Sequence, residues 1–390
     1  MGHLPDAVAA RGRLSFDELA FGDVDALALA MIVYPDVGDA CAGAPAATLR
    51  DLAAAVSGER YKLHTELLRL MAEAPRYAGV RVGYAVSVLS EEDHLQFAAF
   101  CCDIAGIGRV LCYRGTDGTL AGWHEDFAMC YECPVSAQIA ALLYLEEAAR
   151  GTDAPLYLTG HSKGGNLSAY AAACASPALQ ERIVRAWSFD GPGFDPDTAA
   201  GEGCARILSR LRSVLPEASV IGLLLGCQPG YAVVRSDAAG LRQHDPFTWR
   251  TEGTELEYTG ETSFSSRIAE QTVREGLSRL SPEERRRIVD RLFEIAEASG
   301  AHTTAELRGK LLTEIPRLLL SGDVRIGSDI RGPMARAVSA GAASAAQTYV
   351  GGLFARAVRA LSDRAEKDTG PADRTDPSGE SEGDEGSCRV

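Results

Sequence analysis

The 390-residue sequence lacks the patterns that mark several large classes of protein. No internal repeat recurs at a period of about 20 to 50 residues, which argues against solenoids and propellers. The first residues show no basic segment followed by an apolar one, so no signal peptide is visible and we expect a cytoplasmic protein. Basic residues are outnumbered by acidic ones, 39 to 54, and the net charge of −15 argues against nucleic-acid binding.

The ten cysteines show no spacing typical of a disulfide framework. Cys101, Cys102 and Cys112 lie in apolar runs, as small core residues do, and without a signal peptide we expect reduced thiols. Cys130 and Cys133 form one CxxC pair, but a structural zinc site needs about four ligands and no second pair is spaced to match. The sequence therefore predicts neither a metal site nor an organic cofactor.

A hydrophobic content of 46% and a charged content of 24% are typical of a soluble globular protein. Three strand-like runs, at residues 80–89, 95–104 and 109–113, are followed by helical patterns that alternate with short apolar runs up to residue 235. This alternation predicts an α/β fold, with a mostly parallel sheet and helices on both of its faces.

The character of the chain changes twice after this region. We expect one domain over residues 1–255, followed by a helical extension or cap over 256–363, in which Ser281 to Glu284 form a capping box. Residues 364–390 are rich in Asp, Glu, Ser, Gly and Pro, which predicts a disordered acidic tail. Residues 337–355 carry no charge, but their small side chains favour close helix packing. We expect no transmembrane segment, while peripheral contact with a membrane is compatible with the sequence.

The motif GHSKGG, from Gly160 to Gly165, lies between an apolar run and an apolar helix. G-x-S-x-G between a strand and a helix is typical of the nucleophile elbow of α/β-hydrolases. A serine on such a sharp turn has a strained backbone, so the positions two residues away on either side must be small, as Gly160 and Gly164 are. We therefore predict Ser162 as a nucleophile; a glycine-rich turn with a solvent-facing serine is the alternative.

The base should follow the nucleophile along the chain, as it does in α/β-hydrolases. Four of the seven histidines precede Ser162, and His161 is its immediate neighbour and should point away from it. His302 lies in a polar loop between predicted helices, whereas His244 lies in a loop just after the strand-like run YAVVRS. A loop at a strand end is the usual place for such a base, so we predict His244.

The acid that orients the base has two main candidates. Asp190 ends the run AWSFD and is followed by Gly191-Pro192-Gly193, whereas Glu217 ends the later run SVLPE. Both lie at predicted strand ends, within reach of an imidazole at the same edge of the sheet. We favour Asp190, because the turn that follows should fix its backbone direction and because Glu217 has more rotamer freedom to lose.

Acyl transfer also requires hydrogen-bond donors for an oxyanion. One donor is normally the backbone N–H that follows the nucleophile, here that of Lys163. Thr116 follows the strand-like run RVLCY and offers both an N–H and a hydroxyl, so we predict it as the second oxyanion-hole residue. The alternative is an ordinary glycine-containing turn at residues 114–118.

Several motifs in this order carry a resemblance to a known group of enzymes. The runs LCYRGT, GWHEDF, GHSKGG and SFDGPGF resemble the motifs of class 3 lipases. More narrowly, GHSKGGN, FDGPGF and QHDPFTW together resemble a bacterial lipase-like family of unknown function within the α/β-hydrolases. The resemblance covers roughly residues 15–255, the length of one domain. It implies Ser162 as nucleophile, His244 as base and Thr116 as an oxyanion-hole residue.

The chain departs from the lipase pattern at two positions. Ser219 stands where those lipases have their acid, which implies that the acid has moved to Glu217 or to Asp190 on the preceding strand. Lys163 stands where an apolar residue is more usual after the nucleophile. Its charge would lie near an anionic substrate group or the oxyanion, unless it points to solvent.

These features predict a serine hydrolase that cleaves carboxylic esters, with a small-molecule or lipid-like substrate, through an acyl-enzyme intermediate. Ser162, His244 and Asp190 form the expected triad; thioester or amide cleavage also fits these residues. One alternative is an acyltransferase with the same triad, in which an alcohol replaces water. Another is an α/β-hydrolase-fold module that binds a partner without catalysis, against which the intact Ser162 and His244 argue.

Overall fold

The alternating strands and helices predicted from the sequence build one large sheet with helices packed on it. The structure, a computed structural model, describes residues 2–36, 41–56, 59–90, 92, 95–219, 221–223, 225, 230–298 and 336. All of these belong to one unit, Met1–Ala345. The predicted helices beyond residue 298, the uncharged stretch 337–355 and the acidic tail 364–390 lie outside the described residues.

The strand-like runs of the sequence are all strands in the structure, and several further short strands accompany them. The described strands are β1 (Ala47–Thr48), β2 (Arg81–Ser90), β3 (Leu95–Ile104), β4 (Gly108–Tyr113), β5 (Leu156–His161), β6 (Ile183–Phe189), β7 (Leu211–Pro216), β8 (Tyr231–Val234), β9 (Thr251–Glu252), β10 (Glu255–Leu256) and β11 (Tyr258–Thr259).

Helices fill most of the connections between the strands. The described α-helices are α1 (Leu4–Arg11), α2 (Asp23–Ile32), α3 (Leu49–Ala55), α4 (Lys62–Glu73), α5 (Leu120–Ala128), α6 (Ser136–Ala148), α7 (Lys163–Cys174), α8 (Pro177–Arg182), α9 (Pro196–Ala200), α10 (Glu202–Ile207), α11 (Phe264–Ser278) and α12 (Pro282–Ala298).

The main sheet is mixed, and this corrects the expectation of a mostly parallel sheet. Its strand order is β1-β2-β3-β4-β5-β6-β7-β8-β11, and neighbouring strands are parallel only from β4 to β8. The β1, β2, β3, β4 section and the β8–β11 pair are antiparallel. The reason is connection length: residues 91–94 and 105–107 are too few for the crossover that parallel strands need.

Helices cover both faces of the sheet, as the sequence predicts. Successive residues of β4 alternate between two apolar clusters, because side chains of a strand point to opposite faces. Val110 and Cys112 pack with residues of α1, α2 and α4, whereas Leu111 and Tyr113 pack with residues of α6 and α7. The predicted core position of Cys112 is confirmed by its complete burial.

The predicted capping box at residue 281 is confirmed at the start of α12. The Ser281 N–H donates to Glu284 Oε2 over 3.1 Å, and the Glu284 N–H donates to Ser281 Oγ over 3.2 Å. The helix then packs on α5, where the Phe293 ring lies 4.9 Å from that of His124 and 6.0 Å from that of Phe127. Of the helices the structure describes, none has the length and apolarity needed to cross a membrane.

Candidate active site

Ser162 lies on a tight turn between β5 and α7, at the carboxyl end of the parallel strands. Its backbone φ of 58° is in the left-handed region, which a side chain seldom adopts without support from its surroundings. The Ser162 N–H donates to the Phe189 carbonyl over 2.9 Å and so ties the turn to β6. A β-carbon at Gly160 would collide with the Gly164 carbonyl, and one at Gly164 with the Tyr113 carbonyl. The turn therefore requires both glycines.

Ser162, His244 and Asp190 form one line of hydrogen-bonding groups. His244 Nε2 lies 3.0 Å from Ser162 Oγ, and His244 Nδ1 lies 2.6 Å from Asp190 Oδ2. His244 ends a short 3-10 helix at Gly240–His244, and its side chain is 27% exposed, whereas Asp190 is buried. Because a carboxylate only accepts hydrogen bonds, Nδ1 carries the imidazole proton and Nε2 is free to accept one from Ser162.

Asp190 is fixed from several sides. Its N–H donates to the Val214 carbonyl over 2.8 Å, and its φ of 47° turns the chain sharply at the end of β6. Its second carboxylate oxygen, Oδ1, accepts from the Ser219 hydroxyl over 2.5 Å and from the Gly222 N–H over 3.2 Å. The N–H of Glu217, the alternative acid, donates to the Val234 carbonyl. The structure thus brings Asp190, and not Glu217, to the imidazole.

His161 contacts the backbone of the segment that carries His244. Its Nε2 lies 2.8 Å from the His244 carbonyl oxygen and its Nδ1 lies 3.0 Å from the Tyr34 hydroxyl. The carbonyl can only accept, so Nε2 carries the proton and the Tyr34 hydroxyl donates to Nδ1. Burial, together with the nearby His244, lowers the pKa of His161 well below its ordinary value. His161 is therefore a neutral structural neighbour of the candidate base, and it does not contact Ser162 Oγ through its ring nitrogens.

Thr116 contacts a carboxylate that the sequence reasoning did not single out. Its hydroxyl donates to Asp126 Oδ2 over 2.5 Å, and Asp126 lies on α5, the helix that follows the 114–118 turn. Among the described residues Asp126 Oδ1 has no hydrogen-bond partner although it is buried. Burial raises the pKa of Asp126 to about 6, and the cation of Lys163 and the hydrogen bond from Thr116 act in the opposite direction.

Lys163 turns away from solvent. It is the first residue of α7, and the backbone N–H groups at the start of a helix have no partner within that helix. Its side chain is fully buried, with Nζ 2.8 Å from Glu125 Oε2 and 2.8 Å from the Gln96 carbonyl oxygen. The sequence leaves open whether this charge lies near an anionic substrate group or points to solvent; in the structure it is buried and paired with Glu125.

A cavity of about 310 Å³ adjoins the Thr116 turn. Tyr34, Tyr61, Arg114 and Asp117 are among its lining residues. Two of these residues lie close to the residues described above: the Tyr34 hydroxyl lies 3.0 Å from His161 Nδ1, and Arg114 lies two residues before Thr116. No group of three or more metal-ligating side chains occurs within the described ranges.

The chain was compared with known proteins. Residues 71–294, more than half of the chain, match the model of the Mbeg1-like family. The chain belongs to the Mbeg1-like family. This family is lipase-like, which agrees with the resemblance seen in the sequence motifs. Ser162, His244 and Asp190, and also Thr116 and Asp126, all lie within the matched residues.

A solved structure, described as the crystal structure of M37 lipase, is 14% identical, with a TM-score of 0.34, over 50% of this chain and 67% of that chain. A search of curated proteins found no match.

Most contacts of the site that the sequence does not predict come from α5. GWHEDF is part of the resemblance, but the sequence assigns no role to Glu125 or Asp126. A second missed link is Asn166, which accepts from Gln138 Nε2 over 2.9 Å and donates to the Gly193 carbonyl over 2.9 Å. Asn166 thus joins the nucleophile helix to the turn after Asp190. The final Asn of GHSKGGN was the available signal.

Proposed function

We propose that the protein is a serine hydrolase that cleaves carboxylic esters through an acyl-enzyme intermediate. The observation that carries the proposal is the line from Ser162 Oγ through His244 to Asp190, at 3.0 Å and 2.6 Å, at the edge of the sheet. These distances are within hydrogen-bond reach, as the nucleophile, the base and its orienting acid require. Membership of a lipase-like family supports the same reaction class.

The roles follow from the donors and acceptors at each atom. Ser162 attacks the ester carbonyl carbon while His244 Nε2 takes the hydroxyl proton, and the imidazolium that forms is stabilised by Asp190. His244 then returns the proton to the leaving alkoxide, which departs as an alcohol. Water repeats the sequence on the acyl-enzyme: His244 accepts its proton, the carboxylic acid is released and Ser162 is protonated again.

We propose that the backbone N–H of Lys163 and the Thr116 residue stabilise the oxyanion. Such donors act on the charge that develops in the transition state, and losing one donor costs ~10²- to 10³-fold in kcat. The Thr116 hydroxyl already donates its proton to Asp126, and this hydrogen bond fixes the orientation of the side chain. We therefore assign the donor role at Thr116 to its backbone N–H.

The surroundings of the site support an ester with an apolar part. Leu241, in the same 3-10 helix as His244, is 68% exposed, and the rings of Tyr34 and Tyr61 line the cavity beside the Thr116 turn. The ring of His64 lies 4.8 Å from that of Tyr34 and 5.1 Å from that of Phe247. Exposed apolar groups beside a candidate site favour apolar ligands. We therefore propose a lipid-like ester as the substrate class.

A fluorophosphonate probe tests the proposal directly, because it reacts with serines that are activated by a neighbouring base. The wild-type chain is expected to be labelled at Ser162, and Ser162→Ala is expected to lose the label and at least ~10³-fold in kcat on p-nitrophenyl esters. Ser278→Ala, at an exposed serine of α11, is the matched control and should be labelled normally.

Two results would point elsewhere. No labelling of the folded wild-type chain would favour a binding module over an enzyme. Labelling of Ser162, combined with ester products in place of free acid when an alcohol is added, would favour an acyltransferase. Graded p-nitrophenyl esters then report the acyl-chain length that the site accepts.

A further inference from the structure

An ion pair is buried directly behind the nucleophile turn. Lys163 Nζ lies 2.8 Å from Glu125 Oε2, and the two side chains are 0% and 2% exposed. Removing two charges from water is costly, and the attraction within such a pair often fails to repay that cost. A lipase-like chain could place an apolar side chain after the nucleophile, so stability alone gives no reason for the pair.

Both ends of the pair are further anchored. Lys163 Nζ also donates to the Gln96 carbonyl over 2.8 Å. Glu125 Oε1 accepts from the Ala137 N–H over 2.7 Å, and Glu125 Oε2 accepts from the Gln96 N–H over 3.3 Å. The pair thus connects the first residue of α7 to β3, α5 and α6. Its geometry is directional, which an apolar contact is not.

Through α5 the pair is also linked to Thr116, the other residue to which an oxyanion donor is assigned. Glu125 and Asp126 are consecutive on α5: Glu125 binds the Lys163 side chain, while Asp126 accepts from the Thr116 hydroxyl. One turn of helix therefore contacts both sides of the oxyanion site. Any displacement of α5 relative to α7 would change the separation between the Lys163 N–H and the Thr116 N–H.

We infer that Lys163 and Glu125 form a positioning pair that sets this separation, an inference that rests on the proposed function. Among the hydrogen bonds and ion pairs of the described residues, neither side chain binds Ser162 Oγ, His244 or Asp190, so the pair would act through the backbone donors. Oxyanion donors act over about 2.7–3.1 Å, and a misplacement of about 1 Å costs ~10²-fold in rate. The pair should therefore affect kcat far more than KM.

The test compares Lys163→Met and Glu125→Gln with the double variant that carries both. Each single variant leaves one group buried without its partner, and we expect Tm to fall by about 10 °C. The double variant carries no charge, and the amide oxygen introduced by Glu125→Gln still accepts from the Ala137 N–H. We expect it to recover most of the lost Tm. Its kcat, measured well below Tm, should stay ~10- to 100-fold below wild type with KM within about 2-fold.

The control is an ion pair at the ends of the strands that are opposite the candidate site. Arg109 Nε lies 2.7 Å from Asp103 Oδ1, at the start of β4 and the end of β3. Arg109→Met with Asp103→Asn should lower Tm, yet leave kcat unchanged at temperatures where the chain is folded. This separates a loss of stability from a loss of positioning.

The outcomes are distinguishable from those of the proposed function. A wild-type chain without labelling or turnover would overturn the proposed function and this inference with it. A wild-type chain that turns over, together with a double variant that has a restored Tm and a wild-type kcat, would overturn the inference alone. Failure of the double variant to fold at any temperature would also overturn it, since the pair would then be a requirement for folding.

Discussion

The hydroxyl of Ser219 donates to Asp190 Oδ1 over 2.5 Å, while Asp190 Oδ2 faces His244 Nδ1 at 2.6 Å. The resemblance to class 3 lipases places Ser219 where those enzymes carry their acid. The segments that follow β6 and β7 therefore meet at the Asp190 carboxylate, which binds the Ser219 hydroxyl with one oxygen and faces the imidazole with the other. This arrangement supports the proposal that Asp190 is the acid, and we expect Ser219 to orient it.

The choice between Asp190 and Glu217 is tested by neutralising each carboxylate. Asp190→Asn keeps the shape of the side chain but cannot hold the imidazole tautomer or stabilise the imidazolium, so kcat should fall ~10²- to 10⁴-fold. Glu217→Gln should stay within about 2-fold of wild type, because the imidazole already has Asp190 as its partner. Parallel kcat measurements, with circular dichroism as a check on folding, decide the matter. A large loss of kcat in Glu217→Gln together with a near-normal kcat in Asp190→Asn would assign the acid to Glu217.

Ser219→Ala tests the orienting role separately. A hydrogen bond to a charged group contributes about 1.5–3 kcal/mol, and we expect part of this to appear as a loss of ~10-fold in kcat. The Gly222 N–H would still donate to Asp190 Oδ1, so the effect should be much smaller than that of Asp190→Asn. Ser219→Thr, which keeps a hydroxyl, should retain more activity than Ser219→Ala. Equal kcat for Ser219→Ala and wild type would show that Asp190 needs no such support.

The strand–turn–helix context and the two glycines predict the turn that carries Ser162, because the steric requirement is local, and the structure shows that turn. Chain order and a place after a strand single out His244, since few histidines follow Ser162. The catalytic roles of both residues stay predictions. The acid remained open between Asp190 and Glu217 for a physical reason. Both end parallel strands at the same edge, and only the tertiary contacts of Asp190 bring it to the imidazole.

The contacts of α5 lay beyond what the sequence reveals. Lys163 and Glu125 are 38 residues apart, and nothing local in either segment predicts that they meet. The sheet was predicted as mostly parallel because strands alternate with helices, yet its first strands are joined by connections too short for crossovers. The domain boundaries near residues 255 and 363 and the disordered tail stay predictions.

Asp126→Asn should change the pH dependence of stability in a defined direction. The pKa of Asp126 is raised from 3.8 to about 6, so the folded chain binds a proton more readily than the unfolded one. Stability from this group is present below pH 3.8 and is lost as the pH rises through about 6. The variant lacks this loss, so its Tm relative to wild type should rise between pH 4 and 6. Thermal melts across this range test the prediction. A difference in Tm between variant and wild type that stays constant with pH would contradict a carboxyl whose pKa is raised by burial.

His64→Phe should act with the opposite sign. His64 packs among the rings of Tyr34, Tyr61 and Phe247, and burial lowers its pKa from 6.5 to about 4. The unfolded chain therefore binds a proton more readily, so stability from this group is present above pH 6.5 and is lost as the pH falls towards 4. Phenylalanine keeps the aromatic contacts and cannot be protonated. The fall in Tm between pH 6.5 and 4 should thus be shallower in the variant than in wild type, with the buried His161 responsible for part of the slope that remains.

The same thermal melts measure both variants, and Asp126→Asn serves as the control, because its Tm relative to wild type should change with pH in the opposite direction. An unchanged slope for His64→Phe would show that His64 is protonated as easily in the folded chain as in the unfolded one.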